Sequence, residues 1–227
     1  MQHSISQDNT SRDAKLTRVL LLCGVVAGPL YVIVGVIEML TRSGFDPTRH
    51  DLSLMSNGDW GWIHISLLIL TGLLTIAGAV GMRRVLRGGR GGTWGPLLLG
   101  IYGLGLIGAG FFTADPALGF PPGTPADAHA ISWHGLLHFI CGGIGFLGLI
   151  AACFVFARRF AARRQRGWAA YCVATGVIYL AAFAGIAVGS NSVGVITTVV
   201  ILAFSVAVVL GWAWVSAMAA KLLSERA

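Results

Sequence analysis

The chain has 227 residues, of which 56% are hydrophobic and only 11% are charged, with a formal net charge of +7. A soluble domain of this size could not bury so much apolar surface, so the composition excludes a soluble globular protein and indicates a membrane protein. The positive charge lies mostly in short segments beside apolar blocks, where it fits contact with anionic lipid head groups. Nucleic acid is therefore not an expected partner, and membrane lipid is.

Six apolar blocks reach the roughly 20 residues that cross a hydrocarbon core of about 30 Å. None alternates with a period of two, and a spanning segment must satisfy its backbone internally, so helices are predicted. The fold class is all-α, a six-transmembrane-helix bundle in one domain over residues 16–219. Polar tails, the first disordered, are expected at 1–15 and 220–227. In chain order, the predicted helices are residues 16–40, 62–86, 94–114, 133–157, 168–189 and 193–219.

The first predicted helix contains Gly28 and Pro29, which should kink it because proline removes one backbone hydrogen bond. Glu38 lies near its end and could pair with Arg42 four residues later. Small residues also recur three or four apart in the spans, as in "GIYGLGLIGAG" of the third helix. This spacing predicts close contact between helix backbones.

Basic residues are divided unevenly between the two ends of the predicted bundle. Arg42 and Arg49 follow the first helix, and the other fourteen of the 16 Lys and Arg residues lie near the termini or in the second and fourth loops. The positive-inside rule therefore predicts that both termini are cytoplasmic.

Side chains suited to acid–base or ligand chemistry collect on the opposite, outer side. Five of the six histidines and six of the nine acidic residues lie there. Any reactive site is therefore expected to face the extracytoplasmic side. These side chains are Glu38, Asp46, His50, Asp51, Asp59, His64, Asp115, Asp127, His129, His134 and His138.

The segment "SWHGLLHF", residues 132–139, begins the fourth predicted helix with two histidines four apart. Side chains at this spacing share a helix face roughly 5–6 Å apart, so His134 and His138 could bind one metal ion with His64 as third ligand. Three neutral imidazoles and an open position for water suit zinc, which lowers the pKa of that water. Asp115 would be its general base.

In this interpretation the substrate is an ester or amide of a lipid-like molecule, because the site would open at the lipid interface. Ser53 or Ser56 would stabilise the oxyanion. The sequence thus favours metal-dependent hydrolysis of a lipid-like substrate as one hypothesis.

Two other hypotheses fit the same histidines. A non-enzymatic membrane component, such as a partner subunit or small transporter, could use them to hydrogen-bond head groups or loop carbonyls. Alternatively, histidines on facing helices could bind haem in an electron-transfer protein. A protein partner or a homo-oligomer stays open in each case.

Three segments carry a resemblance to a known family, namely "DLSLMSNGDWGW", "GAGFFTADP" and "HAISWHGLLH". Over about residues 18–218, the chain resembles the bacterial membrane family called domain of unknown function 998. The resemblance implies a six-helix fold and a multi-pass protein of the bacterial cytoplasmic (inner) membrane, and it implies no activity.

A more distant similarity is to membrane hydrolases that include alkaline ceramidases and adiponectin receptors. Those proteins have seven helices, with a histidine on the second helix and an HxxxH motif on the last. His64 on the second predicted helix and the pair His134 and His138 match this in part, which implies a metal site. The chain departs in having six predicted helices and in placing HxxxH on the fourth.

Overall fold

The computed structural model describes residues 2–86, 88–128, 130–189 and 195–225, with the backbone alone for residues 2–10. The long helices are α1 (Gln2–Thr41), α2 (Gly61–Val85), α3 (Gly89–Phe111), α4 (Trp133–Ala162), α5 (Arg166–Gly189) and α6 (Val195–Ser224). All six are long and apolar enough to cross a membrane. This confirms the prediction of an all-α bundle of six spans, and the chain is a multi-pass membrane protein.

Helix α1 begins earlier than hydropathy predicts. The part of α1 that qualifies as a span starts at Ser11, and a salt bridge docks the first turns of this span on α2. Nη2 of Arg84 lies 3.1 Å from Oδ1 of Asp13, and Nε of Arg84 donates to Oγ1 of Thr17 at 2.8 Å. The structure therefore continues helix through the polar residues, and the division of the chain into tails and a domain stays a prediction.

The six helices form a ring in chain order, each packed against the next, with α6 packed back on α1. Because six crossings return the chain to its starting side, both termini lie at one end of the bundle. We call the opposite end, formed by residues 42–60 and 112–132, the distal end. Its assignment to the extracytoplasmic side rests on the distribution of basic residues and stays a prediction.

Glycines bring neighbouring helices into backbone contact, which confirms the packing predicted from their spacing. A Cβ added at Gly105 of α3 would lie 2.7 Å from Cα of Gly145 in α4. A Cβ at Gly78 of α2 would lie equally close, 2.7 Å, to Cα of Gly24 in α1. The pairs α1–α2 and α3–α4 are thus held together at contacts that accept no larger side chain.

The distal loops are fixed to each other by a histidine and aromatic rings. The backbone N–H of Asp46 donates to Nδ1 of His50 at 2.9 Å, so the proton on Nε2 is free to donate to the carbonyl of Leu118 at 3.0 Å. The rings of Phe45, His50 and Phe120 pack with centroids 5.4–5.5 Å apart. The two loops therefore close one end of the bundle together.

We expect Gly105→Ala to destabilise the bundle by about 1–3 kcal/mol, because the added methyl group must push α3 away from α4. Gly100→Ala, on the same helix, is the matched control, since a Cβ there meets nothing within 4 Å. Thermal unfolding in detergent measures both variants. Equal melting temperatures for the two variants would contradict the α3–α4 contact.

Candidate functional site

A buried carboxylate and imidazole meet between α1 and α2 near the distal end. Nδ1 of His64 lies 2.8 Å from Oε2 of Glu38, and the two side chains are 1% and 3% exposed. Because a carboxylate oxygen accepts, Nδ1 carries the proton and donates it. In the neutral imidazole, the lone pair is therefore on Nε2.

Arg42 holds the second oxygen of Glu38, with Nη1 3.5 Å from Oε1. This confirms the pairing predicted from their spacing. The guanidinium also donates to the carbonyls of Met55, at 3.0 Å, and Asn57, and it lies 5.6 Å from the ring centroid of Phe120. Arg42 and Glu38 thus form an ion pair beside the imidazole of His64. The same arginine fixes the segment that follows the 3₁₀ helix Leu52–Ser56.

His64 lines a cavity of about 390 Å³, here called the distal cavity, whose lining runs from residues 51–53 of the distal end to Trp212 in α6. This volume lies within the roughly 300–1,000 Å³ typical of small-molecule sites. The lining is mostly apolar and aromatic, with polar groups from Asp51, Ser53, His138 and Trp212. Nε2 of His64, Oδ1 of Asp51 and Nε1 of Trp212 are buried and have no hydrogen-bond partner among the described residues. Three unsatisfied polar atoms therefore belong to side chains of one cavity, as a binding site for a partly polar molecule requires.

His138 of α4 contributes a second imidazole to the same cavity. Its Nδ1 lies 2.9 Å from the carbonyl of Ala109 and 2.8 Å from that of Phe112. These carbonyls lie at the end of α3, where the helix offers them few donors, and they can only accept. Nδ1 of His138 is therefore protonated, and its Nε2 is the nitrogen left for other contacts.

Asp51 precedes the 3₁₀ helix and is the acidic side chain of the cavity lining. Burial raises the pKa of Asp51 to about 6. The carboxyl therefore changes its charge close to physiological pH, although the sequence assigned it no role. Ser53 also lines the cavity, whereas Ser56 is buried and donates to the carbonyl of Ser53 at 2.7 Å.

Asp115 fixes the start of α4 and lies outside the cavity lining. It accepts from the backbone N–H and the hydroxyl of Ser132, both at 2.7 Å, and Ser132 in turn accepts from the N–H of Gly135 as the N-cap. Burial on its own raises the pKa of Asp115, but the hydrogen bonds from Ser132 hold it below its ordinary value. Asp115 thus holds the N-cap residue of α4 in position.

His134 lies beside Asp115, one helical turn from His138 and closer to solvent. Its Nδ1 lies 3.1 Å from the carbonyl of Thr113, its Nε2 lies 3.7 Å from Oδ1 of Asp115, and its side chain is 37% exposed. Of the three predicted zinc ligands, the structure therefore brings His64 and His138 to one cavity and leaves His134 outside the lining. His129 lies outside the described residues.

No group of three His, Cys, Asp or Glu side chains is arranged to hold a metal ion in the described ranges. The donor set around the cavity thus does not form the predicted three-histidine site, and zinc and haem stay predictions. Glu38 is a partner of His64 that the sequence did not predict, since its spacing indicated only the pairing with Arg42. The available signal was an acidic side chain near the end of an apolar span, which needs a buried partner.

The raised pKa of Asp51 predicts a pH-dependent stability. The carboxyl of Asp51 binds a proton more tightly in the folded protein than in the unfolded chain. The stability that this proton adds is therefore present below pH about 4 and is lost as the pH rises to about 6. Asp51→Asn stays neutral and should flatten this loss. We expect its melting temperature at neutral pH to exceed that of the wild type by several degrees, since about 1 kcal/mol corresponds to roughly 2–4 °C.

The measurement is thermal unfolding in detergent across this pH range. Asp59→Asn, at an exposed carboxylate of the same loop, is the control and should follow the wild type. A pH dependence unchanged by Asp51→Asn would contradict the burial of this carboxyl.

Comparison with known proteins adds a family and no activity. A family model described as "Protein of unknown function (DUF998)" matches residues 25–221. No curated protein and no solved structure matches the chain. These comparisons give no support to the more distant similarity to alkaline ceramidases and adiponectin receptors. Since the match extends from α1 to α6, the chain belongs to the DUF998 family of membrane proteins.

Proposed function

We propose that this protein is a membrane hydrolase that binds a lipid-like ester or amide in the distal cavity, with His64 as general base. The observation that carries the proposal is the state of the His64 ring. Nδ1 is fixed on Glu38 at 2.8 Å, while the buried Nε2 has no partner in the part of the chain that the structure describes. A carboxylate that orients an imidazole and stabilises its protonated form is the arrangement that general-base catalysis requires.

In the proposed reaction, Nε2 of His64 takes a proton from a water molecule as the water oxygen attacks the substrate carbonyl carbon. The bond to the leaving oxygen or nitrogen then breaks, and the imidazolium returns the proton to the leaving group. Glu38 stabilises the transient imidazolium, and it does so strongly because the pair is shielded from water. Water is consumed, and an acid and an alcohol or amine are released.

The carbonyl oxygen becomes negatively charged during this attack and needs a donor. Nε1 of Trp212 is buried without a partner and belongs to the cavity lining, so it is our first candidate for this role. The hydroxyl of Ser53, predicted for the same role, also lines the cavity. Ser56 already donates within its own segment and is a weaker candidate.

The proposal places this chemistry at the extracytoplasmic face of the bacterial cytoplasmic membrane. The basic residues at the terminal end of the bundle support that orientation. A metal-assisted version would use Nε2 of His64 and of His138, since each imidazole has its Nδ1 on a protein oxygen, as metal-bound histidines do. Among the described residues, no third protein ligand accompanies these two histidines.

We expect protein in lipid vesicles to hydrolyse p-nitrophenyl palmitate and His64→Gln to lower the rate by about 10²–10⁴-fold, the usual contribution of a general base. Release of p-nitrophenol measures the rate. His134→Gln is the matched control, because His134 lies one helical turn from His138 on α4 but outside the cavity lining. This variant should keep wild-type activity.

Chelation separates the two versions of this chemistry. A rate that survives chelators supports His64 acting alone, and a rate lost to chelators and restored by zinc supports the metal-assisted version. Wild-type activity in His64→Gln would contradict the proposal. Binding of the ester without hydrolysis would favour the non-enzymatic transporter or partner subunit instead.

A further inference from the structure

The cavity extends sideways from its polar end to the face of the bundle between α4 and α5. At the polar end the two imidazoles are buried, with His64 1% and His138 6% exposed, and Asp51 and Ser53 are half-buried. At the other end, the lining includes Phe139, which is 56% exposed, and the exposed Ala187 of α5. The lining thus runs from buried polar atoms to side chains on the lipid-facing surface of two spans.

Two glycines lie where α4 borders this part of the cavity. A Cβ at Gly142 would meet nothing within 4 Å, and one at Gly143 would meet only Cζ of Phe183, at 3.8 Å. Both glycines line the cavity and are half-buried. Gly105 and Gly145 lie against the backbone of a neighbouring helix. At Gly142 and Gly143, by contrast, the absence of a side chain leaves open space instead of allowing contact between helix backbones.

Charge at the polar end restricts what can bind there. Among the described residues of the lining, none is a lysine or an arginine. The nearby Arg42 is engaged by Glu38 and two backbone carbonyls. The buried carboxyl of Asp51 has an oxygen without a partner, so an anionic head group would meet an unbalanced negative charge and find no cation.

We propose that the cavity opens to the bilayer between α4 and α5 at Gly142 and Gly143 and admits a single-chain amphiphile with an uncharged head group. The head group lies against His64 and Asp51, and the chain passes Phe183 and Phe139 into the surrounding lipid. This inference rests on the proposed function, because it names the substrate class of the same site. It excludes anionic lipids and free fatty acids as ligands.

Photolabelling tests the opening without depending on catalysis. The probes are a monoacylglycerol with a diazirine on its acyl chain and the corresponding diazirine fatty acid, which is anionic at neutral pH. Peptide mass spectrometry locates the adducts. The informative residues are Val208 and Trp212, which line the cavity and are 5% and 0% exposed, so lipid outside the bundle cannot reach them. Exposed Leu147 reports labelling from the bilayer.

In wild-type protein in vesicles, we expect the uncharged probe to label Val208 or Trp212 at least several-fold more than the anionic probe. Asp51→Asn should reduce this difference. Gly143→Leu and Gly142→Leu should each lose the adducts on Val208 and Trp212 and keep those on Leu147. Gly100→Leu is the matched control, since it adds the same side chain where a Cβ meets nothing within 4 Å and lies outside the cavity lining.

Three results would overturn the inference separately from the hydrolase proposal. Adducts on Val208 and Trp212 that persist in both glycine variants would disprove the lateral opening. Equal labelling by the two probes would disprove selection for an uncharged head group. Wild-type protein labelled only on exposed residues would disprove the amphiphile as ligand, while hydrolysis of the ester by His64 would stand on its own assay.

Discussion

The buried pair of Glu38 and His64 is the interaction on which the distal end of this protein depends. A carboxylate in an apolar bundle is costly unless it is paired and hydrogen-bonded, and here His64 and Arg42 each hold one of its oxygens. Because Arg42 also binds the carbonyls of Met55 and Asn57, it fixes the end of the 3₁₀ helix whose other end carries Asp51 and Ser53. The network of Glu38, His64 and Arg42 thus orients the proposed base and fixes the 3₁₀ helix that borders its cavity.

Glycine has two opposite effects in this bundle, and together they explain where the cavity lies. At Gly105 and Gly145 the absence of a side chain allows α3 and α4 to touch, and the α1–α2 contact at Gly78 is similar. At Gly142 and Gly143, on the same helix α4, the absence leaves space. The close contacts between α1 and α2 and between α3 and α4 therefore support the helices that carry His64 and His138. The proposed entry for a single-chain amphiphile lies between α4 and α5.

The fold was predictable from the sequence because membrane spans are a local property, set by about 20 consecutive apolar residues. The site was only partly predictable, since it depends on how helices rotate against each other. His134 and His138 lie one turn apart on α4 as predicted, but Asp115 binds the N-cap residue Ser132, and His134 is 37% exposed beside it, outside the cavity lining. The partnership of His64 with Glu38 joins residues 26 positions apart, which no local pattern encodes.

The central claim is that Glu38 holds the proton of His64 on Nδ1 and leaves the lone pair of Nε2 toward the cavity. ¹⁵N NMR of histidine-labelled protein in detergent tests it most directly, with the His64 signals assigned by their loss in His64→Gln. At neutral pH we predict a protonated Nδ1 and an unprotonated Nε2, and a shift of this tautomer balance in Glu38→Gln. A His64 ring protonated on Nε2, or unaffected by Glu38→Gln, would contradict the account.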